Sequence, residues 1–546
     1  MNYKVLKIAL LIGGFFLMVL IVALAFIFTK DYVPKGDHLI YSISTIPIPQ
    51  NIKNIEHPIY TPNNKIVFSY DDATTNESYI AVMDDDGKNF HNIYQGKIPV
   101  LPKANGVRIM PFADNKRLLL GDHVVETEPD LDNADIKKTK LLLINYPDMG
   151  SLYVLNRWSE IIIAPDNIHM AWTTLAAFGG SGTSVNFMGR LEKNATGDGY
   201  NINKATIISD FVFAHEIPNM PGFLEPIKYI HGGEIKQFTD GGMKITLAGA
   251  VRQGMSRSIV QDLESNATYA LSLEPGYEET SIISPDGKLG IAMSTRFSPQ
   301  TNCAILGLLP RPDSVFTLMG MNRYAYTYSV TQVRTKRIGN VGPALYQVDK
   351  SINDRNYHGH DLHDPSDNQA WVFRSPMSWH QSSTKAIWPE RHRITNENRI
   401  RKVVIETDSS KTSYAPGEPI KARDTPDKAP YSLPLTELDH LPSLFFNGTF
   451  KGVNGFMDCD RQANYIHTKY RNYSVDGKVF ANGYESFDID SKEITYVGNV
   501  TLSGADSGSM DFKLVFSAET NDLLKEKCYG YSTYDGRTIK TDDMIE

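Results

Sequence analysis

Cysteine is almost missing from this chain: 546 residues hold only Cys303, Cys459 and Cys528. No two of them stand at a C-x-x-C spacing, which excludes a compact thiolate zinc site and a thioredoxin-like redox pair. Basic residues are outnumbered by acidic ones, the formal charge is -8, and no basic stripe occurs, so nucleic acid is excluded as the partner. The Gly-x-Ser-x-Gly elbow of a serine hydrolase is lacking as well. Gly179-Gly180-Ser181-Gly182-Thr183 fails that pattern at its last position, and without a following Lys or a helical pattern it is no phosphate loop either. The acidic stretches Asp84-Asp85-Asp86-Gly87 and Glu126 to Asp132 lack the spaced ligand ladder, closed by a Glu, of a calcium hand.

What the chain does have begins at its start. From Ile8 to Phe28 no residue is charged, and the length matches the roughly 20 residues that cross a bilayer as a helix. Lys4 and Lys7 precede the run, so the positive-inside rule keeps the N-terminus cytoplasmic and carries the rest across. A cleaved signal peptide is the competing reading, but its apolar core is normally shorter, and the only small-x-small triplet, Ala23-Leu24-Ala25, lies inside the run. The expectation is an uncleaved anchor over residues 1–30 and a chain that is otherwise periplasmic or extracellular.

The strongest local signal is Ser284-Pro285-Asp286-Gly287-Lys288, set between the apolar stretches Ile282-Ile283 and Leu289 to Met293. Pro presets φ, Asp bonds the backbone two residues on and Gly accepts positive φ, so the stretch is a tight turn between two strands. Weaker copies centre on Pro62-Asn63-Asn64, Ala113-Asp114-Asn115, Pro165-Asp166-Asn167 and Trp379-His380-Gln381. A strand-turn-strand unit recurring every ~40–50 residues is the sequence mark of a β-propeller blade. In the first unit, Ile66 to Tyr70, Tyr79 to Met83 and the turn Asp84-Asp85-Asp86-Gly87 follow in order. This arrangement resembles the TolB-like propeller repeats of exported bacterial proteins. The resemblance implies an all-β propeller over residues 55–408 with six to eight blades.

Residues 31–54, with Pro34, Pro47 and Pro49, read as an extended stalk that is also able to supply a closing strand. Residues 409–442 carry Pro416, Pro419, Pro426, Pro430 and Pro434 and read as a proline-rich linker. Residues 443–546 alternate apolar and polar positions between Asn454-Gly455, Asp476-Gly477 and Asp535-Gly536 turns, which predicts an antiparallel β module. Cys459 and Cys528 lie within it, either as a disulfide, if this region is outside the cytoplasm, or as two buried thiols.

Candidate chemistry is confined to one histidine-rich stretch. His358, His360 and His363 alternate with Asp361 and Asp364, and Arg374, His380 and His392 follow. Imidazole and carboxylate at short spacing can take a divalent metal, and a polar loop between blades gives the same composition. His380 is read at the place of the turn proline, as a residue that shapes the turn, and Trp379 and Trp388 as blade core. Two functions remain open. One is a membrane-anchored binding platform for a protein or a cell-envelope polymer, with no cofactor; the other is a metal-dependent polysaccharide lyase or hydrolase that uses the histidines from 358 to 392.

Overall fold

A computed structural model describes residues 39–97, 109–149, 153–178, 181–209, 216–225, 233–249, 257–265, 267–273, 278–297, 342–364, 367, 370–439, 447–520, 523–534 and 536–541. The apolar run Ile8–Phe28 and Cys303 lie outside them. Among the described residues, six antiparallel strand groups, called sheets below, follow one another in chain order, the second and third joined into one nine-stranded sheet by parallel pairing of Gly199 to Asn201 with Leu143 to Asn145. The first is Ile52–Tyr60, Ile66–Asp72, Ser78–Met83 and His91–Gln95, and the second Ile109–Pro111, Arg117–Leu120, His123–Glu126 and Lys140–Asn145. The third is Tyr153–Ile163, His169–Phe178, Ser181–Lys193 and Gly199–Ile207, and the fourth Gly233–Thr239, Lys244–Gly249, Arg257–Asp262 and Thr268–Ala270. Glu278–Ile283, Leu289–Ser294, Gly342–Gln347 and His360–Asp361 make the fifth.

The sixth sheet closes the series. Its strands Trp371–Phe373 and Ser378–Trp379 both pair with Lys385–His392, which pairs with Asn398–Ile405. The outer place is taken by Tyr41–Thr45 from the other end of the chain, with Tyr41 opposite Ile405 and Thr45 opposite Arg401. Residues 41–45 and 52–54 are thus part of the sheets, and the stretch read as a stalk supplies the closing strand. Each sheet packs on the next and the sixth packs on the first, through Ile52–Tyr60 against Ser378–Trp379 and Lys385–His392. The chain therefore forms the β-propeller that its TolB-like repeats imply.

Burial explains why these segments are strands of this kind. Ile66 to Tyr70 and Leu289 to Ser294 are buried without interruption, as strands covered on both faces must be. Trp172 and Trp388 are fully enclosed and Trp379 nearly so, with its indole N–H donating to Ile282 O at 2.9 Å across two sheets. These tryptophans are core, as expected.

The C-terminal region behaves differently. Phe223–Leu224, Gly448–Lys451, Asn454–Gln462, Tyr465–Ser474, Val479–Ile489, Glu493–Gly504, Gly508–Ser517, Tyr529–Tyr534 and Arg537–Lys540 form one nine-stranded sheet. Its long strands alternate buried and exposed positions, and the buried set forms one core around Phe450, Tyr473, Phe487 and Phe516. The antiparallel module is as expected, apart from Phe223–Leu224, which crosses from the propeller and pairs in parallel with Gly448–Lys451. Arg355 of the propeller is ion-paired to Asp506 and bonded to the Tyr534 hydroxyl of the module. Cys459 and Cys528 are both buried in this core and neither is disulfide-bonded. Of the two readings left open for them, the structure has the two buried thiols; Cys528 Sγ lies 3.3 Å from the Val515 amide that donates to it.

Candidate functional site

Turns between neighbouring strands of five of the six sheets, the fourth excepted, repeat one hydrogen-bond pattern. Ser284 N–H donates to Leu289 O and Gly287 N–H to Ser284 O, both at 2.8 Å. The same pair of bonds joins Thr61 with Lys65 and Asn64, Phe112 with Arg117 and Asn115, Ala164 with His169 and Asn167, and His380 with Lys385 and Ser383. The fourth turn position has positive φ in every copy, 76° at Gly287, 66° at Asn64, 56° at Asn115, 64° at Asn167 and 58° at Ser383. Asn visits this region at low cost, which is why copies without Gly still make the turn. His380 therefore corresponds to Ser284, and Gln381 to Pro285; the place expected for His380 shifts by one residue. Its ring sits edge-on to Tyr60 and bonds Ser382, and burial together with Lys385 lowers its pKa to about 4.

Neighbouring turns are linked side by side. Asn64 Oδ1 accepts from Gln381 N–H, Ser383 Oγ from Asp286 N–H, Asn167 Oδ1 from Asp114 N–H, and Asn63 donates to Asp132. Between the turns of the third to sixth sheets, the segment expected as a proline-rich linker is laid across the gap. Tyr414 OH donates to Ser383 O at 3.0 Å, Lys288 Nζ to Ala415 O at 2.8 Å, and Ile420 N–H to Pro285 O at 2.8 Å. Farther on, Arg423 N–H donates to Gly241 O at 2.9 Å and Thr425 Oγ1 to Gly242 O at 3.1 Å. A Cβ on Gly241, whose φ is +67°, would stand 2.3 Å from Lys421 O, so this turn is glycine for its conformation and for the strap passing over it. Ala429 then enters the propeller core, Leu433–Pro434 pairs with Thr206 and Ile207, and Leu438 is buried near Trp172.

The tightest anchor of this strap is electrostatic. Asp427 Oδ1 accepts from His169 Nε2 at 2.9 Å and from Arg190 NH1 at 3.1 Å, while Lys204 Nζ reaches Oδ2 at 2.7 Å. The other nitrogen of His169 meets Asp166 Oδ2 at 2.6 Å, and that same oxygen accepts from Thr425 N–H at 3.2 Å. His169 is 3% exposed. Its burial opposes the positive charge, but the carboxylates on both nitrogens outweigh this and raise its pKa. Lys204 first, then His169, hold the Asp427 carboxyl below its usual range.

Beside this anchor an open cleft of about 440 Å³ is lined by Arg117, Glu126, Asn167, Arg190, Lys193 and Tyr200, among others. Its charges are mutually satisfied: Lys193 bonds both oxygens of Glu126 at 2.9 Å, and Tyr200 OH donates to Glu126 at 2.5 Å. Burial and then that carboxylate raise the Tyr200 phenol to about 12.

The histidines singled out in the sequence are spread through other surroundings. His358 is buried and its carbonyl accepts from Arg296, which is itself enclosed and ion-paired to Glu278. His360 packs edge-on to Tyr41, His363 bonds Asp361 at 2.9 Å, and His392 packs on Trp371. The Arg374 amide donates to Pro389 O. Among the described residues, no group of three or more His, Cys, Asp or Glu converges as a metal site would require.

No sequence signal joined His169, Arg190 and Lys204 to Asp427, which follows them by more than two hundred residues. The turn carrying Asp166 and the Thr425-Pro426-Asp427 stretch were each visible, but not their contact.

No family model and no curated protein matches the chain. Among solved structures it is similar to TolB from Acinetobacter baumannii, with 12% identity, a TM-score of 0.27 and 66% of this chain against 65% of that one, so it spans less than two thirds of that relative. It is also similar to oligogalacturonate lyase from Vibrio parahaemolyticus, with 8% identity, a TM-score of 0.36, and 70% and 100% covered. For acylaminoacyl peptidase from Pyrococcus horikoshii the values are 10%, 0.34, 77% and 58%.

Proposed function

We propose that this chain is a membrane-anchored, extracytoplasmic binding platform whose propeller, counted as six blades, receives an extended polypeptide segment on its turn face. One observation carries the reading: that face already holds such a segment, the chain's own residues 414–434, through backbone bonds to the turns of the fifth and fourth sheets and side-chain bonds to the third. Proline-rich segments lose little conformational freedom when docked in this way, which favours them as ligands. The anchor rests on the charge-free run Ile8–Phe28 behind Lys4 and Lys7.

The test replaces residues 415–431 in the full chain by a Gly-Ser segment of equal length and titrates a synthetic peptide of residues 414–432 against it by fluorescence anisotropy. Saturable binding is expected, with none to a scrambled peptide. Absence of binding, in a variant that still unfolds cooperatively, overturns the reading. For the topology, a periplasmic reporter fused after residue 60 is expected to be active, and activity only of a cytoplasmic reporter overturns it.

A further inference from the structure

We propose that His169, Arg190 and Lys204 form a carboxylate-binding subsite of the turn face, filled by Asp427 in this structure and open to an Asp or Glu of a partner segment when the strap lifts. This rests on the binding-platform reading above and names the chemistry of the partner that reading leaves open.

Three adjacent strands of the third sheet each supply one cation: His169 opens His169–Phe178, Arg190 lies opposite it on Ser181–Lys193, and Lys204 lies on Gly199–Ile207. They converge on the two oxygens of a single carboxylate, two donors on Oδ1 and one on Oδ2. Such charge-assisted bonds are short and directional, and they select a planar anion. His169 is aimed by Asp166, which accepts a hydrogen bond from Nδ1–H and leaves Nε2–H for the ligand.

The propeller alone does not balance these charges. With Asp427 set aside, His169, Arg190 and Lys204 face, among the described residues, the carboxylates of Asp166 and Glu192, the latter 3.0 Å from Arg190 Nε. The balance of three cations to two anions is restored by one further carboxylate. The strap that brings it is solvent-exposed over Lys421–Asp424 and at Lys428 and Pro430, and the Asp427 side chain is itself 37% exposed. An acidic side chain at the same place on another extended segment meets the same three donors.

The experiment uses the strap-replaced full chain with two peptides of residues 414–432, the native one and one carrying Asp427→Asn. The native peptide is expected to bind at least about tenfold more tightly, a difference of ~1.4 kcal/mol, and Arg190→Gln in the protein is expected to remove most of that preference. Equal affinity for both peptides overturns the subsite and leaves the binding platform standing. A second measurement keeps the strap in place. In the otherwise intact chain carrying Asp427→Ala, sodium acetate is expected to raise the thermal midpoint more than sodium chloride at the same ionic strength, and this difference should vanish when Arg190→Gln is added. If neither peptide binds but acetate acts in this way, the subsite stands and the platform falls. Equal effects of acetate and chloride count against the subsite.

Discussion

Gly417 N–H donates to Oδ2 of Asp286 at 2.8 Å, while Oδ1 of the same carboxylate accepts from the Ser284 hydroxyl at 2.6 Å and from Lys288 N–H at 3.1 Å. One side chain therefore builds the sharpest turn of the propeller and holds the strap to it.

Asp286→Ala is expected to cost ~1–3 kcal/mol, because it removes an acceptor shared by several donors. Hydrogen exchange should show the loss concentrated in residues 414–420 and in the 284–288 turn, with the nine-stranded sheet unaffected. Uniform loss across the chain would refute a local role.

The strap anchor should respond to pH on both sides. The raised pKa of His169 means that its contribution is complete below about 6.5, the ordinary unfolded value, and is lost as pH rises through the higher folded value. Asp166 runs the other way: burial opposes its ionisation, but bonds from His169 and the His169 and Ile168 amides hold it down to about 2. Its contribution, and that of Asp427, is present above about 3.9 and lost as pH falls through the lowered values. Protection factors of the Arg423 and Thr425 amides should thus be highest between about pH 4 and 6.5 and should fall above neutrality. In His169→Asn the alkaline decline is expected to disappear, and an unchanged decline would contradict the assignment.

Lys236 offers a sharper test of the ring of sheets. It is 1% exposed, on the first strand of the fourth sheet, between Glu160 of the third at 2.9 Å and Glu234 at 2.8 Å. Burial opposes its charge, but the two glutamates raise its pKa. Lys236→Met leaves both carboxylates without this cation and is expected to cost ~3–5 kcal/mol. Adding Glu160→Gln should recover part of that in denaturant titrations. A double variant no more stable than the single would show that the pair is not the source of the cost.

For the thiols, reductant should leave the thermal midpoint unchanged, and Cys459→Ala and Cys528→Ala should each destabilise as small buried truncations do, by ~1–2 kcal/mol. Loss of a bridge would instead cost about 2–5 kcal/mol in either variant and make the midpoint sensitive to reductant.

Local physics made much of this fold legible. The Pro-Asp-Gly chemistry at 284–288 marks a turn whatever surrounds it, and uninterrupted apolar runs such as Leu289 to Met293 mark strands covered on both faces. The alternation after residue 443 marked a sheet with a single buried face. The strap was not legible, because its residues bond to turns up to about 260 positions earlier, chiefly through backbone atoms that every residue type possesses. The surroundings of the histidines were not legible either. His358, His360 and His363 are close in sequence, but one is packed inside, one edges against Tyr41 and one turns to Asp361. Gly359, at φ 71°, breaks the extended backbone between His358 and His360, so a spacing of two does not keep them on one side. Asp427 could be noticed only as part of a proline-rich stretch, with nothing local to distinguish it from Asp424.

The pairing of Tyr41–Thr45 with Asn398–Ile405 has a mechanical consequence. Because the two strands run antiparallel with Tyr41 beside Ile405, the peptide enters and leaves the propeller at the same end of that pair, where Glu406 N–H still donates to Ile40 O at 2.8 Å. Tension applied across residues 40 and 406 would pull that end apart like a zipper, breaking bonds one after another rather than shearing them together. The strap that follows Glu406 is bonded to the turns of the third to sixth sheets, so it takes up a pull on residues 414–427 before that pull reaches the pair.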